Sequence, residues 1–239
     1  MLHTKGIVFR TVRFQESSLI VDVYTEEKGL MSFFMNSVFH SKNSRLSSLL
    51  QIGQSLDLVA YYSDKKELHR IKEVSPDYIY SSLPNHIHKA AVATFIIELC
   101  RHCIKGQTPN PELFQYIRRC LILLDRQEDF DPNFHLKFMI RFCSFIGFNP
   151  VNNFSESNNS FDLMNAHFTS FDIHNKYCVD IEKSKNLNKL LNDEYSSEKT
   201  LHLQYEARSQ MLELLILYYK LHIEQFGELK SPSVYKSIL

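Results

Sequence analysis

Leu19-Ile20-Val21-Asp22-Val23-Tyr24-Thr25-Glu26-Glu27-Lys28-Gly29-Leu30 decides how the first third of this chain folds. Leu19, Val21 and Val23 alternate with Asp22 and Tyr24, the period-two pattern of a half-buried strand, and Glu26 to Gly29 supplies a turn before the apolar run Leu30 to Val38. Before this stretch, Val8, Val12 and Phe14 share a strand face with Arg10, while Thr11 and Arg13 take the other. After it, a polar segment from His40 to Ser48 leads to Gly53 and the run Leu56-Asp57-Leu58-Val59-Ala60-Tyr61-Tyr62. Ser63-Asp64-Lys65-Lys66 then turns the chain into Leu68 to Val74. Five short strands within residues 1–80 predict a small antiparallel barrel, because closure removes the exposed sheet edges. An OB-type barrel is the most economical form, and an SH3-like barrel is the alternative.

Beyond Pro84 the apolar period becomes helical, which predicts an α+β chain of two domains: the barrel at 1–80 and an all-helical domain at 81–239. Ala91, Phe95, Leu99 and Cys103 line one face of a helix over His88 to Ile104. Asn110-Pro111-Glu112 combines an N-cap side chain, a first-turn proline and an acid, and starts a helix that runs to about Leu124. Asp131-Pro132 repeats that device for a helix ending at Gly147, where the missing Cβ suits a left-handed C-terminal residue. The asparagine-rich segment from Asn149 reads as an irregular insertion over about 149–180. A long helix is expected from about Tyr205 to Phe226, and Ser231-Pro232 caps a short closing one.

The 239 residues carry 27 Lys+Arg against 27 Asp+Glu, so any polyanion site must be a local patch rather than a property of the whole surface. The start, Met1 to Gly6, lacks the apolar core of a secretory leader, and the most apolar run, Met211 to Tyr219, already contains Glu213. Both features predict a cytoplasmic protein without membrane spans. Five cysteines, an odd number mostly within helical patterns, predict reduced thiols.

Signatures of catalysis are missing from the sequence: it has no phosphate-binding Gly-Lys-Ser/Thr loop, no G-x-G-x-x-G and no G-x-S-x-G, and Glu26-Glu27 and Glu128-Asp129 read as solvated turn charges. The expectation is a non-enzyme without cofactor. Cys100-x-x-Cys103 lies in a helical run with no second pair and reads as core packing, while His86 and His88 read as solvated, so no metal site is expected. In the barrel, Arg10, Arg13, Lys42, Arg45, Arg70 and Lys72 fall in or beside strands, interleaved with Phe9, Phe14, Phe33, Phe34, Phe39, Tyr61 and Tyr62. Cations that pair with phosphates and rings that stack on bases are the chemistry of single-strand binding. The same aromatics also suit a barrel core, and the same arginines a solvated face.

The order of the segments resembles the bacterial recombination mediator family RecO. The resemblance is carried by Lys5-Gly6-Ile7-Val8-Phe9-Arg10, Glu16-Ser17-Ser18-Leu19-Ile20-Val21, Tyr24-Thr25-Glu26, Gly29-Leu30, Ser41-Lys42, Ser44-Arg45 and Arg70-Ile71-Lys72-Glu73. It continues through Pro109-Asn110-Pro111-Glu112-Leu113-Phe114, Asn133-Phe134-His135, Gly147-Phe148-Asn149-Pro150, Phe161-Asp162-Leu163 and Leu229-Lys230-Ser231. It implies an OB-fold followed by a helical domain, working on the bacterial nucleoid in DNA repair and recombination. Binding of single- and double-stranded DNA, strand annealing, and action with RecR and single-strand-binding protein to load RecA are the implied functions. Arg10, Arg13, Lys42, Arg45 and Arg70 become phosphate contacts by this resemblance, with Lys72 beside them. Arg119, Lys137 and Arg141, placed by helix character, become the cations for the acidic C-terminal tail of single-strand-binding protein. Some relatives hold a four-cysteine zinc module where this chain has only Cys178, so no zinc is expected at that degenerate position. Phe39-His40 replaces basic residues before Lys42, which predicts DNA affinity that is weaker or leans on partners. The rival reading is a protein-interaction adaptor whose barrel docks partners without holding DNA.

Overall fold

A computed structural model describes residues 1–36, 38, 44–193, 195 and 201–233, with backbone alone for Ser44 and Arg45. Contacts divide the chain into two units, Met1–Glu128 and Asp129–Leu239.

The first unit is built on strands β1 (Leu2–Phe14), β2 (Ser18–Thr25), β3 (Gly29–Met35), β4 (Ser55–Tyr61) and β5 (Leu68–Pro76). They close into a barrel in the order β1-β2-β3-β5-β4, the OB-type arrangement expected from the sequence. Closure differs from expectation in one pairing. β3 and β5 run parallel, with Phe33 opposite His69 and Phe34 opposite Arg70, whereas the other neighbours are antiparallel. Val8, Leu19, Val21, Val23, Met31, Phe33, Leu56, Leu58 and Ala60 fill the interior. Helix α1 (Ser44–Leu49), in the segment read as merely polar, adds Leu46 and Leu49 to this core.

Helices α2 (Ile87–Cys103) and α3 (Pro111–Arg126) complete the unit. Asn110 caps α3 as its sequence indicates, its side chain accepting the Leu113 N–H at 3.0 Å. His86, read as solvated, caps α2 by accepting from the Lys89 N–H. These helices cover the outward residues at one end of β1 and β2. Phe9 stacks on Tyr24 at 5.3 Å between ring centroids, and Tyr24 meets Phe114 of α3 at 6.1 Å. Asp77, just past β5, receives Arg118 at 2.6 Å and Lys5 at 2.8 Å; burial alone would raise its pKa, but these donors hold it below the ordinary value. The buried Lys89 ammonium donates to Ser82 Oγ (2.7 Å) and to the carbonyls of Asp125 and Gln127 (3.1 and 2.5 Å), tying the segment before α2 to the end of α3.

In the second unit, α4 (Phe134–Ile146) is buried on all sides from Phe134 to Ile140, as befits a central helix. Around it lie strands β6 (Ser160–Asp162) and β7 (His167–Thr169) and helices α5 (Ile181–Asn192) and α6 (Tyr205–His222). Gly147 ends α4 at φ 91°, the left-handed conformation its position calls for. The start of α4 departs from the sequence reading. Asp131 and Pro132 form a turn ahead of the helix, Asp131 Oδ1 accepting the Asn133 N–H at 2.8 Å, because its other oxygen is held at 3.0 Å by Lys137. α6 stops at His222, four residues before Phe226, and Gln225 turns the chain at φ 55°.

The insertion is more regular than its composition suggested, since β6 and β7 pair as a hairpin around Asp162. The Asp162 carboxylate accepts the N–H groups of Met164 and Asn165 and the side-chain amides of Asn165 and Asn175, all at 2.8–3.0 Å. Burial pushes its pKa up, and these donors outweigh that and hold it low. The asparagines thus act as turn builders whose amides hold a buried carboxylate.

Candidate nucleic-acid interface

The open face of the barrel arises from a bulge. In β1 the register shifts between Val8 and Arg10, leaving Phe9 as an extra residue. A one-residue slip reverses which side chains point inward. Val8 is therefore core while Val12 and Phe14 are 40% and 43% exposed, which corrects the single shared face read from the sequence.

Strand pairing sets two adjacent rows across this face. In the first, Arg10 of β1 lies opposite Asp22, Asp22 opposite Ser32, and Ser32 opposite Leu68. In the second, Val12 lies opposite Ile20, Ile20 opposite Phe34, Phe34 opposite Arg70, and Arg70 opposite Tyr61. Phe14 adds a ring beside the second row, edge-on to Phe34 at 5.8 Å. Tyr61 is 56% exposed and Leu68 43%. The second row thus presents Val12, Phe34 and Tyr61 outward with the Arg70 guanidinium set among them.

The six barrel cations have different fates. The Arg70 side chain is exposed and makes no ion pair or hydrogen bond among the described residues, leaving a whole charge between Phe34 and Tyr61. Arg10 shares that face, three strands or about 14 Å across the sheet from Arg70, but its Nε donates to Asp22 Oδ2 at 2.6 Å. Arg13 lies in the opposite phase at the barrel end, with Nη2 on the Glu16 carbonyl at 2.9 Å. Lys72 is the extra residue at a second bulge, and its ammonium meets Glu73 at 2.9 Å; this hydrogen bond raises the lysine pKa and lowers that of the glutamate. Lys42 lies outside the described residues, as does the side chain of Arg45. The structure thus gathers Arg10 and Arg70 on one face and leaves Arg13 off it. Of the candidate rings, Phe9 and Phe33 are fully buried, Phe14, Phe34 and Tyr61 lie on the face, and Phe39 is outside the described residues. Ile20, Asp22 and Leu68 belong to the face and were missed as site residues; cross-strand register alone reveals them.

The three helix cations also separate. Arg119 is exposed on α3 in the first unit. In the second unit, Arg141 donates to the Asp193 carbonyl at 3.2 Å and lies over the Tyr195 ring at 5.5 Å. Lys137 is 3% exposed, its ammonium enclosed by Asp131 at 3.0 Å and Asp193 at 2.7 Å. It is an internal charge, not a surface cation, which corrects its assignment to a partner tail.

Among the described residues no His/Cys/Asp/Glu group is assembled to hold a metal ion, and no helix is long and apolar enough to cross a membrane. The family model for the recombination protein O N-terminal region matches residues 1–80, and that for the recombination protein O C-terminal region matches residues 84–232. The chain belongs to the RecO family. Its relatives include the DNA repair protein RecO of Christiangramia forsetii, 29% identical over 239 residues that cover 100% of this chain and 99% of that one. RecO of Phocaeicola vulgatus and of Bacteroides fragilis are each 30% identical, with 98% of both chains covered. RecO membership gives the chain a role in DNA repair and recombination, on a scaffold whose barrel carries the open aromatic face.

Proposed function

We propose that this RecO-family chain is a non-enzymatic recombination mediator that lays single-stranded DNA across the second row, stacking bases on Phe34, Tyr61 and Phe14 around a phosphate held by Arg70. The observation that carries this reading is the unpaired Arg70 set between two outward aromatic rings. Bases offer a π-face only when unpaired, so single strands are favoured over duplex at this face, and duplex is held more weakly through the cations alone. Annealing follows when two such strands are brought together, with RecR and single-strand-binding protein as partners in loading RecA, on the nucleoid in the cytoplasm. Arg119 in the first unit and Arg141 in the second remain as two separate candidate cations for the acidic tail of single-strand-binding protein.

The test is binding of a fluorescent oligothymidine to wild type and to Phe34→Ala and Arg70→Glu variants. Both variants are expected to lose roughly tenfold or more in affinity, the scale of one lost base stack or one phosphate contact. The adaptor reading draws support from the many apolar side chains around one unpaired cation, which suit a protein partner equally well. Under that reading Arg70→Glu leaves oligonucleotide binding unchanged, and that result would remove the DNA assignment.

A further inference from the structure

We infer that Asp22 limits how tightly the barrel holds a single strand by neutralising Arg10; this rests on the DNA reading above. Asp22 is the acid in the middle of a face otherwise made of apolar, hydroxyl and cationic side chains. Both strand neighbours fix it: Arg10 Nε donates to Oδ2 at 2.6 Å, and Ser32 Oγ donates to Oδ1 at 2.7 Å. Its side chain is only 15% exposed against 46% for Arg10, so this is a built pair rather than two solvated charges.

It lies outside the barrel core, because β2 turns Leu19, Val21 and Val23 inward and Asp22 outward. The effect is electrostatic. Arg10 and Asp22 sum to zero, so among the described residues a strand crossing both rows finds the single net charge of Arg70. A phosphate that approaches Arg10 must displace the carboxylate from Nε or share the guanidinium with another anion. Without Asp22 the same backbone would present two whole charges. A protein that passes strands on has to release them as well as hold them, and affinity differences among variants of one interface lie mostly in the release rate.

The experiment measures anisotropy of labelled oligothymidine across a salt series for wild type, Asp22→Asn, Asp22→Ser and the double variant Asp22→Asn/Arg10→Gln. Asparagine keeps the size of Asp22 and an oxygen for Ser32, and the serine variant covers the case in which the amide perturbs the strand; a thermal melt checks that each folds. Asp22→Asn is expected to bind about three- to tenfold tighter at low salt. Its log–log salt slope should steepen by about 0.7, the value of one further single-strand phosphate. Adding Arg10→Gln should return both to wild type. If folded Asp22→Asn and Asp22→Ser bind no tighter than wild type, Asp22 does not restrain the site. When wild-type binding still depends on Phe34 and Arg70, that outcome overturns this inference alone; a wild type that ignores those two residues overturns the DNA reading and this inference with it.

Discussion

Strands β1 and β2 each carry outward apolar residues at both ends, and the two ends have opposite fates. At one end Ile7, Phe9 and Tyr24 are almost fully buried, with Phe114 of α3 against Tyr24. At the other, Val12, Phe14 and Ile20 remain open beside Phe34 and Tyr61. The residue types hardly differ. Whether an outward ring is core or platform depends on whether a helix from the same unit lies over it, and the apolar pattern of a strand contains no such information. Charges divide in the same way: Lys137 and Arg70 are both cations within regular elements, yet one is closed inside carboxylates and the other is open.

The largest effects belong to the covered side. Phe114→Ala is expected to lower stability by about 3–5 kcal/mol, the cost of deleting a buried ring, with a matching fall in denaturation midpoint. Phe34→Ala should cost about 1 kcal/mol or less, as an outward cross-strand contact. Equal losses would erase the distinction between the two ends. Lys137→Met should cost about 3–5 kcal/mol in chemical denaturation, because Asp131 and Asp193 would be left buried without their cation. A tolerated Lys137→Met would mean that this ammonium reaches solvent after all.

Covered and open groups should also differ in their response to acid. Burial is the main influence on His135, with the Arg208 charge behind it, and its pKa is pushed down from 6.5 to about 3. The folded state therefore resists a proton that the unfolded chain accepts. The stability contributed by neutral His135 is fully present above pH 6.5 and is lost as pH falls toward 3, by up to about 1.4 kcal/mol per pH unit. His135→Gln should flatten that dependence in denaturation measured at pH 7 and pH 5. An unchanged slope would assign the acid sensitivity to other groups.

Local signals made much of this architecture legible. Alternation around Asp22, the turn at Gly29, the cap at Asn110-Pro111 and the glycine at 147 each depend on a few adjacent residues and reappear as β2, β3, α3 and the end of α4. Features set by distant partners were not legible. The bulge at Phe9 reverses a face through pairing with β2, the parallel closure of β3 on β5 places Arg70 between two rings, and Lys137 is enclosed by carboxylates 6 and 56 positions away in sequence. Cation-rich strands pointed to the barrel, but only register separates Arg70 from Arg10, whose charge is cancelled across the strand.

Charge pairing on the barrel gives the smallest effect. Arg70→Gln removes a whole charge from the open face and is expected to reduce the log–log salt slope of oligothymidine binding by about 0.7, one single-strand phosphate. Lys72→Gln, two positions along the same strand, should change that slope by much less. Its ammonium is already shared with Glu73, and the bulge sets it off the row that runs from Phe34 to Tyr61. An exposed pair of this kind exerts little net field at the distance of a passing phosphate, and salt screens what remains. If the two substitutions lowered the slope equally, the strand would be following β5 along its length rather than crossing the sheet at Arg70, and the open aromatic row would lose its claim to be the platform.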